Sequence, residues 1–70
     1  MKPVKWTPVG WGKNSKWLAI VDGETHGAVC KGQPKLIDSK GGELVLPKCE
    51  SNELAKAAVH REMARIGWLS

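Results

Sequence analysis

The chain has 70 residues, 11 basic and 7 acidic side chains for a formal net charge of +4, four Trp, and neither Phe nor Tyr. That length makes one domain (1–70) with a thin core, which leaves little room for a deep pocket and weighs against an enzyme. No apolar run is long enough for a membrane span or the centre of a secretory signal, so no membrane partner is expected, and the expected setting is cytoplasmic, with Cys30 and Cys49 reduced.

In chain order, residues 1–15 carry Pro3, Pro8, Gly10 and Gly12. Each proline disfavours helix for itself and for the residue before it. The segment is therefore expected to be a partly extended basic-aromatic arm, either an edge strand or a polyproline-like run. GWGKNS (10–15) reads as a loop. KWLAIV (16–21) is the clearest strand, with Trp17, Ala19 and Val21 on one face and Leu18 and Ile20 on the other. Asp22-Gly23 is a strong two-residue hairpin signal. ETHGAVCK (24–31) is the returning strand, and Gly32-Gln33-Pro34 is expected to break it. KLID (35–38) and ELVLP (43–47) flank SKGG as a second hairpin.

The period then changes. Ser51 suits an N-cap, Glu53 suits the first turn, and Gly67 suits the stop, which predicts one helix over 51–67. Leu54, Ala55, Ala58, Val59, Met63 and Ile66 share its expected apolar face. Glu62 falls near the middle of that face, so it is expected at the interface edge with Arg65 within reach. Trp68-Leu69 is expected to fold back onto the contact. The fold predicted is α+β: an antiparallel sheet of three to four strands over 16–47 with one C-terminal helix packed across it.

His26, Cys30, Cys49 and His60 are zinc-ligand types, but His26 and Cys30 are about 13 Å apart along a strand, so no metal site is expected. No nucleophile–base arrangement, phosphate loop or dinucleotide fingerprint occurs, so neither catalysis nor a cofactor is expected. ELAKAAV has the look of a first helix of a helix-turn-helix unit. No turn and second helix follow, so no family is read from it.

The charge excess is local. Residues 1–21 hold Lys2, Lys5, Lys13 and Lys16 and no acid, whereas residues 22–70 are neutral. Three of the four Trp lie in the same stretch. Trp17 is expected in the core, Trp11 at the surface, and Trp6 is open between the two. Lys5, Trp6, Trp11, Lys13 and Lys16, supported by Arg61 and Arg65, form the expected binding set. Exposed Trp and Arg are typical interface anchors. The expected function is a small binding module, an inhibitor or adaptor meeting a protein with an acidic or nucleic-acid-handling surface; small phage or mobile-element proteins that block host factors would fit it. The alternative is a DNA- or RNA-binding domain, with indoles stacking on bases and Lys/Arg on phosphates. An open sheet edge also allows pairing with a second copy.

Overall fold

The computed structural model describes residues 2–10 and 15–69. Five strands, β1 (Lys5–Val9), β2 (Lys16–Val21), β3 (Glu24–Cys30), β4 (Gln33–Ile37) and β5 (Glu43–Val45), precede one helix, α1 (Asn52–Arg65). The strands pair antiparallel in chain order, β1-β2-β3-β4-β5. The α+β architecture matches the sequence expectation, but the sheet has five strands rather than three or four. The extra one is β1, which sets Trp6 opposite Ala19 and Val9 opposite Lys16. Pro8 is found there because β1 is an edge strand, with a ladder on one side only.

Two tight turns set the register of β2–β4. Asp22 (φ 52°) and Gly23 (φ 79°) form the expected hairpin turn, with positive φ at both central positions. Lys31 (φ 50°) and Gly32 (φ 77°) make a second turn of the same kind. The break expected at Gly32-Gln33-Pro34 is therefore only a turn, and Gln33 and Pro34 open β4. Pro34 survives inside the sheet by substitution of a donor. Its carbonyl accepts from the Leu46 N–H (3.1 Å), and an ordinary residue would return an N–H to the Leu46 carbonyl. Proline has none, and the Gln33 side-chain amide donates to that carbonyl instead (2.6 Å).

Helix α1 begins as expected. Ser51 has extended backbone and its hydroxyl accepts from the Leu54 N–H at 3.2 Å. The Asn52 side-chain carbonyl accepts from the Gly32 N–H (2.8 Å), tying the helix start to the β3–β4 turn. The helix stops at Gly67 (φ 86°): the Gly67 N–H donates to Ala64 and the Trp68 N–H to Met63, a Schellman motif. Leu69 then folds back into the core, and its carbonyl accepts from the Lys2 N–H.

Only Ala55, Val59 and Met63 of the helix are buried, a stripe of four-residue spacing. Leu54 and Ile66, expected on the buried face, are 54% and 39% exposed. The stripe is narrow because the helix lies over β3 and β4 rather than across the whole sheet. Gly27 allows that close seat, since a Cβ there would stand 2.8 Å from Val59 Cγ1. Ala19, Val21, Val29 and Leu36 supply the sheet side of the core. The register slips by one residue in β3, where Ala19 faces Gly27 and Ile20 faces Thr25. His26 is the extra residue of this bulge. Its ring lies 5.2 Å from that of Trp68, and its Nδ1 is buried with no hydrogen-bond partner among the described residues.

Candidate binding surfaces

Because opposed residues on paired strands share a face, the register assigns every strand position. Trp6 faces Ala19, a core residue, so Trp6 and Trp17 lie on the helix side. Both are half-buried against the core. Lys56 of α1 reaches over them, with Nζ 3.7 Å from the Trp17 ring centroid and 5.9 Å from that of Trp6. The ammonium meets the negative face of each ring, and its stem covers apolar surface.

The other face of the sheet has no element lying across it among the described residues. The residues alternating with the core positions fill it: Lys5, Thr7 and Val9 of β1, Lys16, Leu18 and Ile20 of β2, Thr25, Ala28 and Cys30 of β3, Gln33, Lys35 and Ile37 of β4, and Glu43 and Val45 of β5. Leu18, Ile20 and Ile37 form an aliphatic centre and are half-buried by their neighbours. Lys5, Lys16 and Lys35 rim it. Lys35 pairs with Glu43 across to β5 at 3.0 Å. Neither Lys5 nor Lys16 has an ion-pair partner among the described residues. Apolar centre and charged rim are the general anatomy of an interface patch.

The residues expected to bind do not form one patch. Lys5 and Lys16 are on the open face and Trp6 is on the opposite one. Trp11 and Lys13 lie outside the described residues. Arg61 is exposed beside Leu54, Ala57 and Ala58, along a shallow groove that runs to Lys48, Cys49 and Glu50. Arg65 is engaged: its Nε donates to Glu62 Oε1 at 2.8 Å and its Nη2 reaches the same oxygen. That bond, chiefly, holds the Glu62 carboxyl below its ordinary value of 4.5; partial burial opposes it and the charges of Arg65 and Arg61 reinforce it. The same bond raises Arg65. Glu62 thus sits at the interface edge with the expected partner.

Leu18, Ile20, Ile37 and Lys35 are not among the residues that the sequence leads one to expect at a binding surface. The alternation in KWLAIV separates Leu18 and Ile20 from the Trp17 face, and a single helix covers a single face. Those two facts together point to the open side.

Among the described residues no three His, Cys, Asp or Glu side chains are grouped to hold a metal ion, and no helix is long and apolar enough to cross a membrane. No family model, curated protein or solved structure matches the chain.

Proposed function

We propose that the chain is a small non-enzymatic binding module that docks on a protein partner through the open face of its sheet, as an inhibitor or adaptor does. The aliphatic centre at Leu18, Ile20 and Ile37, on the side away from the helix, carries this reading. A sheet that buries one face and leaves aliphatic side chains on the other has unspent apolar area, which association would remove from water. The lysine rim suits an acidic surround on the partner. A nucleic-acid reading rests on those same lysines. It loses support because Trp6 and Trp17 are occupied on the helix side, where bases could stack on them only if Lys56 moved.

The test compares one variant on each side of the molecule. Leu18→Glu places a charge in the open face, and Leu54→Glu places one in the helix groove. A protein retained by the wild type and by Leu54→Glu, but lost by Leu18→Glu, supports the proposal. Retention by Leu18→Glu and loss by Leu54→Glu would move the site to the helix. Binding to a DNA duplex with a steep salt dependence, and no protein retained, would establish the nucleic-acid reading.

A further inference from the structure

The open face is not uniform. Ala28 and Cys30 of β3 are short, and the strands on either side bear Lys16 on β2 and Gln33 and Lys35 on β4. Trp17 faces Val29, so Lys16 lies beside Cys30. Short residues flanked by long ones leave a hollow, and these five residues line a cleft of about 300 Å³. Its walls carry two ammonium groups and no carboxylate. The Gln33 amide nitrogen is turned away to the Pro34 and Leu46 carbonyls. Lys35 is shared with Glu43, whereas Lys16 has no ion-pair partner among the described residues.

We infer that this cleft is the anionic anchor point of the open face, taking an Asp or Glu side chain of the protein partner while flanking apolar residues of that partner lie on Leu18, Ile20 and Ile37. The inference rests on the docking reading above. A second copy of this chain is a poor occupant. Two such faces would bring Lys5, Lys16 and Lys35 of each copy together, with only Glu43 to offset them on each side. The occupant is therefore a different chain with an acidic residue set among apolar ones.

Cys30 makes the cleft directly readable, because the second thiol is an internal control. Cys49 packs against the core on the helix side, away from the cleft. The probes are a synthetic peptide alternating Leu and Glu, its twin with Gln in place of Glu, and a short DNA duplex. Amide shifts at Leu18, Ile20 and Ile37 read contact with the face, and the rate of iodoacetamide alkylation of Cys30 against Cys49 reads occupancy of the cleft.

The Glu peptide is expected to shift the face and to slow alkylation of Cys30 alone. The double variant Lys16→Gln/Lys35→Gln is expected to bind it roughly five- to tenfold more weakly and to lose the protection, since each exposed ion pair contributes a small but additive share. Equal shifts and equal protection with the Gln twin would overturn the anionic anchor and leave the docking face standing. No shift on the face with either peptide would overturn both. Protection of Cys30 by the duplex in preference to the Glu peptide would overturn the carboxylate and replace it with backbone phosphate.

Discussion

Lys56 shows how this protein builds a core without Phe or Tyr. Its ammonium stands over Trp17 and, at greater distance, over Trp6, and its side chain is 17% exposed although it is charged. The Glu53 carboxylate lies 3.5 Å from Nζ. Lys56→Met keeps the apolar stem and removes the charge, so it should cost about 0.5–1 kcal/mol in urea unfolding. Lys56→Ala removes both and should cost more, with a change in tryptophan emission in the folded state. Equal losses for the two variants would mean that only the charge matters, and no loss in Lys56→Met would mean that only the stem does. Glu62 gives a pH signature at the same scale. Its folded pKa lies below its unfolded one, because of the hydrogen bond from Arg65. The stability it lends is fully present above the ordinary carboxyl value and is lost as pH falls through the lower folded value. A carboxyl NMR titration should show the Glu62 midpoint rise in Arg65→Met, and the acid limb of the stability curve should shift with it.

The elements were legible to different degrees. KWLAIV was readable to the residue because its alternation, apolar content and following Asp22-Gly23 turn agree. The helix ends were readable because Ser51 and Gly67 are strong local signals. Strand β4 was blurred because Pro34 looks like a breaker, and its rescue by the Gln33 side chain depends on Leu46, thirteen residues from that glutamine. The width of the buried helix stripe was not readable at all. It depends on where the helix sits, and Gly27 decides that. Gly27→Ala would place its Cβ 2.8 Å from Val59 Cγ1 and 3.1 Å from the Lys35 carbonyl. It should destabilise the fold by about 1–3 kcal/mol, as overpacking does. Val59→Ala alone should also destabilise. If the clash is the cause, the Gly27→Ala/Val59→Ala pair will lose less than the sum of the single losses in urea unfolding. Strict additivity would rule out that contact.

At the scale of the molecule, the candidate site was half legible. The lysines of the N-terminal third were visible as a charge excess, but a list of residues has no faces until a register is known. The register puts Lys5 and Lys16 on one side of the sheet and Trp6 on the other, so a segment that reads as one surface serves two. Which strand edges can recruit another chain is also settled at this scale. Strand β1 carries Lys5 and Pro8, and β5 is three residues long. Both are devices that discourage strand addition, so a partner would approach the sheet from its face.

The hydrogen bond from the Lys2 N–H to the Leu69 carbonyl brings the two ends of the described fold side by side. The chain is therefore close to a closed ring, and a ring can be opened elsewhere. Joining 69 to 2 by a short flexible linker and cutting at Gly41, an exposed glycine where an added Cβ would meet nothing within 4 Å, moves the termini to the β4–β5 loop. Strand β5 and the helix would then be made first, and β1 would follow the helix directly. The permuted chain is expected to fold with the same tryptophan emission and amide spectrum, and to differ in stability by only about 1–2 kcal/mol, the scale of closing one short loop in place of another. In that form the open face keeps its residues while the helix is made before four of the five strands, so the sheet can be asked whether its shape depends on being complete before the helix that covers it.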